Sequence, residues 1–465
     1  MNKNILLLLG SLIFSLLFFK QDVGLNFLLF SLTTITLLGL FNAKRFKNKK
    51  VLLAGFLYLI MALFVFIYNS TLSIFTAVIA FFYLLGIISE HKSSVYIQLL
   101  NGFFSSIASG FTLYYERLSL ETKAVKKKTI NYIYWLKMVG IPIIVLLIFV
   151  ILYRSANPYF NEIINKIDFS FINLQWVLFT IMGYFLLLNI SNPIVIENVT
   201  EFDLKIGNKL IKERLKPQSD EILKQENQLG TVLIVLLNVL LVFFLITDVI
   251  YLSRLTDLNA PELSKTVHEG IYALITSIVF AIIIILYFFR SNLNFYKENK
   301  NLKVLTVLWI VLNIILILVT TYKNFIYVSF HGLTYKRIGV FVYLLLSLIG
   351  LITTFIKVYA TLNFWFLCRR NVSIGFVILL ISTTINWDKL ITKYNTKYAH
   401  NTDYDYLANL SDNNTFLLKN IVENAQDKPS LTAQNKIKNK YDQYCKKLES
   451  NNWQELVFDN LKYKK

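Results

Sequence analysis

The chain has 465 residues, of which 55% are hydrophobic and only 16% charged, and its formal net charge is +19. A soluble chain of this length would spread charge over two or three domains, whereas here charge-poor runs recur at about 20 residues, the length of helix that crosses a bilayer core of about 30 Å. An ordinary soluble domain is therefore excluded, and so is a membrane barrel, whose strands alternate polar and apolar residues: Leu233 to Ile246 contains one polar residue, Asn238.

The positive charge sits in short lysine clusters between the apolar runs, which retention on the cytoplasmic side explains. No aromatic-basic module accompanies it, so nucleic acid is not an expected partner. Cys368 and Cys445 are the only cysteines, too few for a disulfide framework or a zinc knuckle.

Taken in chain order, Ile5 to Phe19 follows Lys3 like a signal peptide, but Phe18-Phe19-Lys20 offers no small residues for a peptidase, and a retained first span is expected. Leu25 to Phe41 forms the second span and ends at Lys44, Arg45, Lys47, Lys49 and Lys50, which places the N-terminus inside. Val51 to Tyr68 and Thr71 to Ser89 read as a helical hairpin turning at Asn69-Ser70. Residues 93–115 carry apolar side chains at helical spacing among Ser, Asn and Gln. An interfacial or re-entrant amphipathic helix is expected there, because a crossing would put the basic clusters at 44–50 and at Lys123, Lys126, Lys127 and Lys128 on opposite faces.

Ile130 to Tyr153 and Asn173 to Ile190 give the fifth and sixth spans, followed by a cytoplasmic, part-helical loop at 191–228 with Lys205, Lys209, Lys212, Arg214, Lys216 and Lys224. Leu229 to Tyr251, Ile271 to Phe289, Val304 to Tyr322, Ile338 to Ile356 and Val372 to Trp387 complete about eleven spans. The expectation is an all-α polytopic transmembrane helical bundle over 1–387 and a small C-terminal helical domain over 388–465 on the extracytoplasmic face. In that tail Ile437, Tyr441, Tyr444 and Leu448 mark one helical stripe, and Trp453, Leu456, Val457 and Leu461 a second. Ser430 is placed to cap the first.

On this topology the unusual polar residues gather on the outer face. Asn157, Asp248, His268, Glu269, His331, Thr334, Arg337 and Asp388 are the candidate binding residues, lining either an outward vestibule or an ordinary solvated loop surface. His268-Glu269 lacks the second histidine of a zincin helix, since Tyr272 stands where it would be. Asp388 reads either as an acid or base or as a charge paired with Lys389 or Arg337. Asp248, at membrane depth, needs a partner such as Arg254 or Arg337, or acts as a coupling proton site. No catalytic triad, phosphate loop or glycine fingerprint is present, so no catalytic residue, metal or cofactor is expected.

Four segments carry a resemblance: Tyr153 to Phe160, His268-Glu269-Gly270, Gly332 to Gly339, and Asn386 to Asn395. In that order, and with Asp403 to Leu410 following, the chain resembles an uncharacterised bacterial polytopic membrane family of the domain-of-unknown-function 4173/4153 type. The likeness runs from the fifth span into the tail, and no motif in the first four spans carries it. The resemblance implies an integral membrane protein and supplies no catalytic residues. The reading that follows is a non-enzymatic inner-membrane protein, transporting or partner-binding, whose partners are the lipid bilayer and a polar solute or envelope protein. A membrane-embedded enzyme acting on a lipid-linked or envelope substrate, or a signalling scaffold, is the alternative.

Overall fold

The structure, a computed structural model, describes residues 2–121, 132–166, 173–212, 219–254, 260–400, 402–425 and 429–463. Several stretches within the helices, 113–121, 251–254 and 260–272 among them, are described by their backbone alone. The described residues form helices and no named strand; the sole bridge joins Lys209 to Leu362.

The first half contains α1 (Lys3–Phe18), α2 (Leu25–Phe41), the single turn α3 (Ala43–Phe46), α4 (Lys49–Tyr68), α5 (Thr71–Ser89), α6 (Val95–Glu121), α7 (Tyr132–Ala156), α8 (Pro158–Lys166), α9 (Leu174–Ser191) and α10 (Glu197–Lys205). The second contains α11 (Ser219–Arg254), α12 (Ala260–Phe288), α13 (Lys300–His331), α14 (Tyr335–Tyr359) and α15 (Phe364–Thr383). The tail folds as α16 (Trp387–Tyr398), α17 (Tyr404–Ala408), α18 (Thr415–Asn424) and α19 (Leu431–Ser450), closed by two 3-10 turns. Among the described residues seven of these helices, α4, α5, α9, α11, α13, α14 and α15, are long and apolar enough to cross a membrane. Most of the sequence-derived boundaries fall within a few residues of the observed ones. Four spans depart: α11 and α12 start well before the expected Leu229 and Ile271, at Ser219 and Ala260, α13 runs past Tyr322 to His331, and α15 starts at Phe364 and stops at Thr383, so Cys368, Arg369 and Arg370 lie in its first two turns rather than in a connector.

Two cores organise the membrane part. Leu38, Val65, Leu84, Leu85 and Leu187 pack α1, α2, α4, α5 and α9 together, and Leu380 of α15 joins them. Ile234, Ile278, Ile285, Leu302 and Leu351 do the same for α11 to α14. Outside these cores large apolar side chains stay uncovered, as Leu236, Val239 and Phe243 do along α11. In water such a surface would drive aggregation; against lipid it has no cost.

α6 is amphipathic in an inverted sense. Gln98, Asn101, Ser105 and Ser109 are buried on one stripe, while Leu100, Phe103, Ile107 and Phe111 face outward. The polar stripe binds the strand-like connector after α9: Asn101 exchanges hydrogen bonds with Thr200 and the Ile196 N–H, Ser105 donates to the Ile194 carbonyl, and Ser109 donates to that of Asn192. α5 and α6 touch backbone to backbone, because a Cβ at Gly86 or Gly102 would strike the carbonyls of Gln98 or Phe82.

The helices share two ends. At one lie Lys44, Arg45, Lys47, Lys49 and Lys50, together with α10 and the turn at Thr361–Asn363, where the Asn363 side chain donates to the carbonyl of Gly207 at 2.7 Å. The clusters at Lys123, Lys126, Lys127 and Lys128 and at Arg214 and Lys216 fall outside the described residues. The tail caps the other end. Ser430 caps α19 as its spacing predicts, accepting from the Ala433 N–H at 3.3 Å. The second predicted tail helix is instead two 3-10 turns, Trp453–Glu455 and Phe458–Tyr463. They lie across the start of α2, where Leu25 N–H donates to the Leu456 carbonyl at 2.8 Å, and the end of α4, where the Phe458 ring meets Phe66.

Candidate functional site

The site begins inside the second bundle. α11 and α13 run in the same direction, held at the lysine-rich end by the Asn227 side chain on the Glu298 carbonyl and in mid-course by Asn238 on the Leu305 carbonyl at 3.0 Å. Towards the tail end the Lys323 ammonium donates to Asp248, and both residues are 8% exposed. Asp248 is thus paired with Lys323 rather than with Arg337; the side chain of Arg254 lies outside the described part. Lys323 precedes the end of α13 by eight residues, about 12 Å of helix, and directly follows the apolar run that ends at Tyr322, so the pair is enclosed at the tail-side end of the apolar runs, where a lone charge is costly.

Polar contacts continue from the pair to that surface. Asn324, next to Lys323, donates to the Arg337 carbonyl at 3.2 Å. The Arg337 guanidinium lies 4.1 Å above the Tyr327 ring and donates to the carbonyls of His331 and Gly332 at 2.7 and 2.5 Å, so it caps the C-terminus of α13 with a cation. Thr334 caps the next helix, its hydroxyl accepting from the Arg337 N–H at 3.3 Å. Gly332 makes the turn between them at φ +76, where other residues are strained.

The tail closes over this knot. Asn395 accepts from the Leu333 N–H and donates to the Leu333 carbonyl, as a paired strand would. Asp388, 2% exposed, accepts from the Tyr335 hydroxyl at 2.7 Å and from the Ser411 hydroxyl. Its expected partners are elsewhere: Lys389 pairs with Asp459 at 2.6 Å and Arg337 faces Tyr327. Behind Asp388, Asn414 donates to Thr392 and accepts from Lys440, whose ammonium also reaches the carbonyls of Leu410 and Ser411. Burial pushes Lys440 down to about 8, against the pull of Asp412 and Asp388. The tail-side end of the bundle is therefore a tail-covered polar junction, and Asp388 is enclosed within it.

Four buried polar atoms in this column have no hydrogen-bond partner among the described residues: Asp248 Oδ2, Asn324 Oδ1, His331 Nε2 and Arg337 Nε. Buried polar groups are as a rule satisfied, and these four lie along one path. Of the sequence-derived candidates, His331, Thr334, Arg337 and Asp388 converge here and Asp248 joins them through Lys323 and Asn324. Asn157 does not: it is the exposed cap of α8, accepting from the N–H groups of Tyr159 and Phe160. His268 and Glu269 lie on α12, with side chains outside the described part.

Sequence reasoning missed Lys323, Asn324 and the tail residues Asn395, Ser411 and Asn414. A lysine in an apolar helix near Asp248 was the signal available for the first; nothing local distinguishes the others. It also missed Lys357, 2% exposed, which donates to the Phe289 carbonyl at 2.5 Å and so satisfies the C-terminus of α12.

These features define an all-helical membrane protein with a buried charge pair and a polar column leading to it. The chain belongs to the family described as a domain of unknown function (DUF4153), whose model matches residues 5–421. That match takes in the first four spans, where the sequence motifs do not reach, and the tail as far as α18. No curated protein and no solved structure matches the chain.

Proposed function

We propose that this is a non-enzymatic transport protein of the bacterial inner membrane, in which the column from His331 and Arg337 down to Asp248 carries protons or a small polar solute. The observation that carries the reading is the file of four unpartnered buried polar atoms ending at a membrane-embedded carboxylate. Ionisable groups at such depth characterise proton relays and ion pathways. Under the charge rule the lysine-rich end is cytoplasmic and the tail extracytoplasmic, so the column opens outward beneath the tail. An acid-base pairing of His331 with Asp388 fits less well, because both Asp388 oxygens accept hydroxyl hydrogen bonds inside a closed junction.

The test is proton movement into liposomes reconstituted with the full-length protein and loaded with a pH-reporting dye. Wild-type protein should relax an imposed gradient faster than empty liposomes, and Asp248→Asn or His331→Ala should slow it at equal incorporation. Relaxation no faster than in empty liposomes, together with no accumulation of a panel of labelled amino acids and sugars, would remove transport from consideration.

A further inference from the structure

The lysine-rich end holds a cleft of about 600 Å³, remote from the column, where the first turns of α4, the last turns of α5, the start of α6 and the start of α15 meet. Its rim carries Lys50, His91, Lys92 and Arg369, and the one acid lining it is Asp203. That acid is fully engaged. It accepts from the Ser94 N–H at 2.8 Å, from the Tyr96 hydroxyl at 2.9 Å and from Arg369 at 3.1 Å. Arg369 spends its remaining donors on the Ile206 carbonyl and the Asn208 side chain, so the two charges cancel within the wall. His91 stands 3.7 Å from Glu90. Lys50 and Lys92 remain as cations without an acidic partner among the described residues, and both line the same space of about 600 Å³.

Beside the basic rim the wall is apolar. Leu53, one turn from Lys50 on α4, lines the cleft and is 58% exposed, and Leu52 and Phe56 beside it are exposed too. Basic rim and apolar wall meet at the level where α4 begins and α5 ends, the headgroup level of a bilayer crossed by those helices. Basic pockets between membrane helices on the cytoplasmic side suit anionic headgroups.

We infer that this cleft is a binding site for a phosphate group, carried by an anionic phospholipid whose chains lie along Leu53 or by a small soluble phosphate. A lysine near a membrane surface strengthens anion binding about fivefold, so losing two weakens it about twenty-five-fold. The experiment is native mass spectrometry of the detergent-purified full chain, titrated separately with phosphatidylglycerol, phosphatidylcholine and glycerol 3-phosphate. Wild-type protein should retain phosphatidylglycerol in preference to phosphatidylcholine. Lys50→Gln with Lys92→Gln should weaken retention about twenty-five-fold, and Lys44→Gln with Lys47→Gln, on the same end but outside the cleft, should leave it within twofold. Binding of glycerol 3-phosphate with the same dependence on Lys50 and Lys92 assigns the site to a soluble phosphate. Equal retention of both lipids by wild-type protein with no binding of glycerol 3-phosphate, or equal losses in the two double variants, overturns the site. The wild-type comparison of lipids holds even if a variant fails to fold.

Discussion

Removing one member of the Asp248–Lys323 pair should cost far more than removing both. In Lys323→Met a carboxylate that is 8% exposed loses its cation at membrane depth, and in Asp248→Asn the ammonium loses its anion. Breaking a buried pair from one side costs about 3 to 5 kcal/mol, because the survivor stays desolvated and unpaired. Replacing both by uncharged residues of similar volume is often neutral. Asp248→Asn with Lys323→Met should thus be more stable than either single variant, a coupling of about 3 kcal/mol at the upper end for residues in contact. Unfolding by dodecyl sulfate of protein in mixed micelles, followed by circular dichroism, reads this directly. The same double variant should remain inactive in gradient relaxation, which separates the structural role of the pair from its role in proton movement. Additive losses, with the double variant as unstable as the sum of the two singles, would show that these side chains do not compensate one another and would refute the reasoning.

Gly332→Ala places a side chain on a residue at φ +76 and against the Asn395 amide; it should weaken tail docking by about 1 to 2 kcal/mol, seen as faster amide exchange in Trp387–Tyr398 with the exchange of α4 and α5 unchanged. Burial pushes the Asp203 carboxyl up, but hydrogen bonds from Ser94, Tyr96 and Arg369 outweigh it and hold the group below its ordinary value. The stability it contributes is therefore complete above the ordinary carboxylate range and lost as pH falls through the depressed value; amide exchange of Glu197–Lys205 should rise with acid in wild-type protein and be high at every pH in Arg369→Gln, which costs about 3 kcal/mol. Cys445 on the tail and Cys368 near the start of α15 are both partly exposed and free. In spheroplasts a membrane-impermeant thiol reagent should label Cys445 and spare Cys368 until lysis; the opposite pattern would invert the orientation and place the column's mouth in the cytosol.

The helices themselves were legible wherever apolar length decided them: Leu25–Phe41 and Thr71–Ser89 are observed with the boundaries read from sequence. The reading slipped at α15, where Arg369 and Arg370 look like a connector. Arg369 can sit in a helix start because Asp203, far away in sequence, neutralises it, and no local pattern announces such a pairing. The tail turns at Trp453 and Phe458 misled for the opposite reason. Their apolar spacing suits a helix, but the start of α2 offered a backbone donor, the Leu25 N–H, and the end of α4 a ring, Phe66, that a free helix would not use.

What the amino-acid order settled alone was the solvent. Runs of Leu, Ile, Val and Phe long enough to cross lipid, cut by lysine clusters, leave a bundle of membrane helices as the fold because an unpaired backbone cannot lie in hydrocarbon. Most of the polar residues that matter, His331, Thr334, Arg337, Asp388 and Asp248, were also visible as polar groups out of place in a greasy chain. Which of them touch was decided only by the packing of α11, α13 and α14 and by the tail folding back on them. Hydrogen bonds and ion pairs depend on distance in space, and residues such as Asp248 and Lys323, or Tyr335 and Asp388, are brought within reach by apolar surfaces that carry no trace of the polar partners they position.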